Sequence, residues 1–138
     1  MSSDRRLFAT ACKATSPEHA VVRVYETATW RPVGEPLAGH ALTVTGIAFS
    51  PNDQFILTVS RDRTWRLFER KDTGELSSRF LHLVPRNSSS VIGFVPVAAD
   101  RPHARIIWDC CWTQEGDKFI TASRDKTVSN INLIQGIN

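Results

Sequence analysis

Apolar residues alternate with small or polar ones in short runs along this chain, the period of two expected of strands with one buried face. Val44-Thr45-Gly46-Ile47-Ala48-Phe49-Ser50 is one such run, and Pro51-Asn52-Asp53 after it has turn chemistry. Phe55-Ile56-Leu57-Thr58-Val59-Ser60 is rich in β-formers, Arg61-Asp62-Arg63 turns the chain, and Thr64-Trp65-Arg66-Leu67-Phe68 predicts a third strand. The same order returns downstream, with strands expected at Arg105 to Thr113, Lys118 to Ser123 and Thr127 to Ile131. Gln114-Glu115-Gly116-Asp117 and Arg124-Asp125-Lys126 are the turns between them. A weaker unit comes first. Leu7 to Cys12 and Val21 to Tyr25 read as its middle strands, Thr15 to His19 as a longer polar turn, and Trp30 to Val33 as its outer strand. No stretch of useful length carries a 3.6-residue period, so the expected class is all-β.

The units are copies of one another. Ser60-Arg61-Asp62-Arg63-Thr64 returns as Ser123-Arg124-Asp125-Lys126-Thr127, an offset of 63 residues. In the same register His40 returns as His103, Phe49 as Trp112, Leu57 as Ile120 and Thr58 as Thr121. Several matches in one gapless register point to a structural repeat. The offset exceeds one compact unit, and the surplus lies between Lys71 and Pro102. Arg79 to Val84 is the candidate outer strand there, and Pro85 to Arg101, with Asn87-Ser88-Ser89-Ser90 and two prolines, reads as an insertion loop. Three segments follow: 1–36 as a partial first unit, 37–102 as a full repeat with its insertion at about 85–102, and 103–138 as a truncated repeat with an atypical tail.

Gly39-His40, Phe49-Ser50-Pro51-Asn52-Asp53 and Ser60-Arg61-Asp62-Arg63-Thr64 together resemble one WD repeat, and His103, Trp112, Gly116 and Ser123 to Thr127 resemble the next. The resemblance implies WD40-type β-propeller blades, antiparallel and four-stranded, with about two and a half blades of an incomplete propeller present. More narrowly, His40 to Thr45, Val59 to Trp65 and Arg105 to Cys110 are similar to the WD-repeat subunits of the Elongator family. That likeness implies a non-catalytic scaffold supporting wobble-uridine modification of tRNA, with other Elongator subunits and tRNA as partners. A WD adaptor in a chromatin or ubiquitin-ligase complex is the other reading. Two departures stand out. Phe68, Ile131 and Tyr25 occupy the place where the family's third strand ends in Trp, and the tail from Ser129 to Asn138 fits the pattern poorly.

His40, Ser60 and Asp62 have the composition of a catalytic triad, and a hydrolase built on His40 and Ser60 is the enzyme reading. Antiparallel pairing supplies a structural one. The first strand of a unit starts where the second ends, which brings His40 to the turn holding Asp62 beside Ser60. A buried His–Asp–Ser hydrogen-bond network there would tie two loops together, and it repeats as His103, Ser123 and Asp125. An enzyme seldom repeats its triad, so no catalytic residue is expected. Four histidines and three cysteines show no metal-ligand spacing, and no glycine-rich phosphate loop exists, so neither metal nor cofactor is expected. Trp65, Trp108 and Trp112 read as packing residues. Arg61, Arg63, Arg124 and Lys126 share the turns between second and third strands. They are either solvated turn charges or a basic patch for RNA or an acidic surface.

Composition adds little. The chain has 138 residues, 41% hydrophobic and 22% charged, with a net charge of +3 too small to imply nucleic-acid binding by itself. Its polar start, Met1 to Arg6, leads into no apolar run of the kind a signal peptide needs. Adjacent Cys110 and Cys111, with Cys12, read as reduced thiols of a cytoplasmic and nuclear protein.

Overall fold

The computed structural model describes residues 1–72 and 92–133. Among these residues the chain forms antiparallel strands with one turn of 3-10 helix at Pro17–His19. Strands β1 (Leu7–Ala11) and β2 (Val22–Glu26) make a two-stranded first blade. The second blade has four strands in the order β3 (Val44–Phe49), β4 (Phe55–Ser60), β5 (Trp65–Asp72) and β6 (Ile92–Asp100). The third has β7 (Ile107–Trp112), β8 (Lys118–Ser123) and β9 (Val128–Asn132). The all-β class and the antiparallel blades are those expected from the sequence.

The repeat extends to backbone irregularities. Register shifts between Val44 and Gly46 and between Ile107 and Asp109 place a bulge at Thr45 and at Trp108, which are equivalent positions. Each hairpin turn is also duplicated. The amide of Arg63 donates to Ser60 O at 3.2 Å, and that of Lys126 to Ser123 O at 3.1 Å. Both cationic residues hold left-handed backbone, φ 75° and 71°. Glycine normally fills that position, and a larger residue there costs about 1 kcal/mol or more.

Two expectations need correction. The outer strand of the second blade is β6, so residues 92–100 are strand and not insertion loop. It pairs with β5 from Trp65↔Asp100 to Asp72↔Ile92, and it buries Phe94 and Val95. Pro96, read as loop chemistry, sits on this outermost strand beside the register shift at Leu67/Phe68, where a missing N–H is tolerated. The alternative strand, Arg79 to Val84, lies outside the described residues. In the first blade, Trp30 to Val33 builds no strand. Single bridges, Tyr25↔Pro32 and Val22↔Leu37, replace it. Positive φ at Trp30 (58°) and Gly34 (65°) breaks the extended run on both sides.

Strand alternation sends successive side chains to opposite faces, so the second blade packs on both sides. Val44, Ile56 and Phe68 of the second blade meet Leu7, Val22, Val24 and Leu37 of the first. Leu57, Val59, Trp65 and Leu67, one residue out of phase, meet Ile107 and Phe119 of the third. Leu57 and Phe119 are both 0% exposed. Burying side chains of this size contributes about 1.5–3 kcal/mol each. The polar N-terminus joins this packing: the amides of Ser3 and Asp4 donate to the Asp53 carboxylate at 2.7 and 2.9 Å, clipping the first blade to the second.

Candidate functional site

His40 lies just before β3, and Asp62 lies in the β4–β5 turn at the same end of the blade. The ring Nδ1 is 3.0 Å from Asp62 Oδ2, which also accepts the Ala41 amide at 2.9 Å. Asp62 Oδ1 accepts the amide and the hydroxyl of Thr64 at 2.8 and 2.6 Å. On the other side of the ring, Nε2 meets Thr58 Oγ1 at 2.8 Å. One assignment satisfies every atom: Nδ1–H donates to the carboxylate and Nε2 accepts the Thr58 hydroxyl. The third blade repeats the arrangement. His103 Nδ1 is 3.1 Å from Asp125 Oδ2, and its Nε2 is 2.9 Å from Thr121 Oγ1. Thr127 donates to Asp125 through its hydroxyl and its amide.

Ser60 is placed differently from the triad reading. Its hydroxyl donates to Leu42 O (2.9 Å) or Thr43 O (3.0 Å) and accepts the Asp62 amide at 3.1 Å. Ser123 does the same with Ile106 O and the Asp125 amide. Neither serine bonds the histidine, the contact a nucleophile needs with its base. His40 and Ser60 are 2% and 0% exposed, so substrate cannot reach them. The geometry joins His40, Asp62 and Ser60 as one loop anchor, and it adds Thr58 and Thr64, with Thr121 and Thr127, which sequence reasoning left out of the network.

Burial opposes ionisation of Asp62. Bonds from His40, Thr64 and the amides of Ala41 and Thr64 outweigh it and hold the carboxyl well below its usual range. Asp125 is also held low, first by the Thr127 hydroxyl, with burial opposing. A depressed folded pKa means these carboxylates stabilise the blades fully above the ordinary value of 3.8, and that contribution drains as pH falls below it. Urea midpoints measured down to pH 2.5 are therefore expected to drop steeply below about pH 4, and the drop should flatten in Asp62→Asn. An unchanged acid limb in that variant would show that Asp62 is not its source.

Arg61 and Arg124 stand at equivalent turn positions, exposed, one on each of two packed blades. Arg63 and Lys126 follow each aspartate. None of the four forms an ion pair with another described residue. Among the described residues no group of His, Cys, Asp and Glu is placed to hold a metal ion. Trp65 is buried, and Trp112 donates its indole N–H to Ala48 O at 3.2 Å. Trp108 is 51% exposed, contrary to its reading as a packing residue, because it sits in the β7 bulge on the face turned away from the second blade.

Anchored turns on stacked antiparallel blades define a WD-repeat protein. Residues 30–69 and 95–130 match the WD domain, G-beta repeat family, and the chain belongs to that family. Among its relatives are the proteins named Elongator complex protein 2. The human one is 42% identical over 92% of this chain, that of Saccharomyces cerevisiae 37% over 93%, and that of Arabidopsis thaliana 40% over 88%. The chain spans only 14% of the length of the human and yeast relatives and 13% of the plant one.

Proposed function

We propose that this chain is part of a non-catalytic WD scaffold subunit of Elongator. In this reading it holds other subunits of that complex and supports its modification of the wobble uridine of tRNA, in the cytoplasm and nucleus. One observation carries the assignment: 37–42% identity along nearly the whole chain to relatives whose names make them subunits of that complex. The buried anchors favour a structural use of His40 and Asp62 over a catalytic one. Their consequence is a rigid rim on which loops are displayed.

The rim carries Arg61, Arg63, Arg124 and Lys126. Two of these cations occupy positions that would suit glycine, which argues that charge at the turn is useful. Arginine offers a planar fork for phosphate or carboxylate. Contacts of this kind to RNA phosphate read no sequence and weaken with salt. Co-purification of the tagged chain is expected to recover Elongator subunits. Recovery of chromatin or ubiquitin-ligase machinery instead would support the adaptor reading. Arg61→Glu with Arg124→Glu should weaken tRNA or partner binding by about ten-fold or more while leaving the melting temperature nearly unchanged. If binding survives the double reversal at physiological salt, the rim is ordinary solvated surface.

A further inference from the structure

The anchor of the second blade holds an aliphatic side chain out in solvent. Leu42, in the loop leading into β3, is 50% exposed. The other exposed large apolar side chains among the described residues, Met1, Trp30, Trp108 and Val128, belong to the first and third blades. Leu42 belongs to the second, which is packed on both sides. Its backbone is fixed from every direction. Ser60 Oγ donates to Leu42 O at 2.9 Å or Thr43 O at 3.0 Å, and Asp62 accepts the Ala41 amide at 2.9 Å. The Arg61 amide donates to Thr43 O at 3.0 Å. From the first blade, the Ala14 amide donates to Thr43 Oγ1 at 3.1 Å. Leu42 therefore stands between the Lys13 loop and the Arg61 turn, and the loop cannot turn it inward without breaking these bonds.

The repeat supplies an internal control. The offset of 63 residues carries Leu42 onto Arg105, which is also exposed. The loop around Arg105 is held by the same bonds: Ser123 Oγ to Arg105 O at 3.2 Å, the Ala104 amide to Asp125 at 3.0 Å, and the Arg124 amide to Ile106 O at 2.9 Å. The fold thus builds this loop with a cation as readily as with leucine, so packing does not require the apolar side chain. Charge around it is one-sided. Lys13, Arg101 and Arg105 join Arg61, Arg63, Arg124 and Lys126 at this end of the blades, where Glu18 and Asp100 are the exposed carboxylates among the described residues. Asp62 and Asp125 spend their lone pairs inward on the anchors.

Taking the rim as a binding surface, as in the scaffold reading, we infer that its partner is an acidic peptide segment carrying an aliphatic side chain. That side chain covers Leu42, and carboxylates on either side of it meet Lys13, Arg61 and Arg105. Arginine matches a carboxylate with a planar fork, and the anchored loop pays no ordering cost on binding. RNA fits less well. A phosphate gains nothing from Leu42, and the rim loops, 13–19, 39–43, 61–63, 101–106 and 124–126, hold no Phe, Tyr or Trp on which a base could stack.

The test uses the whole 138-residue chain at physiological salt and three labelled probes followed by fluorescence anisotropy. One is a short synthetic peptide with a single leucine among glutamates, the second has alanine in place of that leucine, and the third is a tRNA. The unaltered chain should bind the leucine peptide about ten-fold more tightly than the alanine peptide. Leu42→Arg, which gives the loop the residue its counterpart already carries, should erase that preference while leaving tRNA binding equal or stronger. Leu42→Ala, which adds no charge, should erase it too. Circular dichroism and an unchanged melting temperature verify that both variants fold. Equal binding of the two peptides overturns the proposal, and so does a preference that survives in Leu42→Arg. Displacement of the leucine peptide by tRNA at equal concentration assigns the rim to RNA and overturns it as well. Arg61→Glu with Arg124→Glu separates the two levels. If that double reversal weakens both peptides alike and no leucine preference exists, the rim remains a binding surface and only this partner falls. If it changes the binding of no probe, the binding surface falls with it.

Discussion

Phe119→Ala is expected to strip the third blade from the second. The ring is 0% exposed and stands edge-on to Trp65 at 5.0 Å and to Trp112 at 5.3 Å. It therefore lies between the two blades, where Trp112 also stacks with Phe55 at 6.2 Å. Removing a buried phenyl group forfeits its transfer free energy and leaves a cavity, together about 3–5 kcal/mol. Domains of this size are stable by only about 5–15 kcal/mol, so the loss takes much of the total. The lining cannot collapse readily, since β-branched and aromatic neighbours are held by strand pairing on both sides. Urea denaturation at fixed protein concentration, followed through tryptophan fluorescence, should show a lower midpoint. Tyr25→Ala, at the equivalent of Phe68 in the first blade but only part-buried, should cost clearly less. Equal losses at the two sites would mean that blade stacking does not set the energetics.

How much of this was legible in the sequence varies with the kind of signal. Strands β3, β4 and β5, with β7, β8 and β9, follow from alternation and from the gapless repeat. Each is a β-rich run bounded by a short turn, and the two copies reinforce each other. Strand β6 was illegible because Pro96 and the upstream Asn-Ser run look like loop. A strand on the outer edge of a blade needs few donors and tolerates Pro96. Trp30 to Val33 misled in the opposite direction, since Trp and Val at its two ends suggest a strand, while a left-handed turn at Trp30 requires tertiary context that no local pattern conveys.

The network shows a subtler gap. The pairing of His40 with Asp62 follows from hairpin geometry alone. Ser60 lies beside Asp62 in sequence and so invites a bond to the ring, but its hydroxyl is drawn to the open carbonyls of Leu42 and Thr43 at the strand end. Thr58, two residues back on the same face, sits under the ring instead. Its hydroxyl was hidden by its class: a β-branched residue inside a strand reads as propensity rather than as a polar partner. The signal existed in the return of Thr58 as Thr121 and Thr64 as Thr127 in the repeat register.

Asp62→Ala is the second large effect, expected to destabilise the second blade by about 3 kcal/mol or more. The carboxylate accepts four bonds, from His40 Nδ1, the Ala41 amide, and the amide and hydroxyl of Thr64. Alanine accepts none. The His40 side chain is 1% exposed, so its N–H would lose its charged acceptor without gaining water, and a buried donor left so costs about 1–3 kcal/mol. Ala41 is exposed and can recruit solvent, which keeps the total below four full penalties. His40→Ala should cost less than Asp62→Ala, because the carboxylate keeps its three other donors. The double variant should then lose much less than the sum of the two, since the pair can be broken only once. Asp125→Ala should be milder than Asp62→Ala, because the Asp125 side chain is 13% exposed against 9% and no fourth strand of the third blade stands beside it among the described residues. Urea midpoints of the four variants separate these cases. Additive losses at His40 and Asp62 would mean that the two do not act as one anchor, and the rigid rim that displays Arg61 and Arg63 would lose its physical basis.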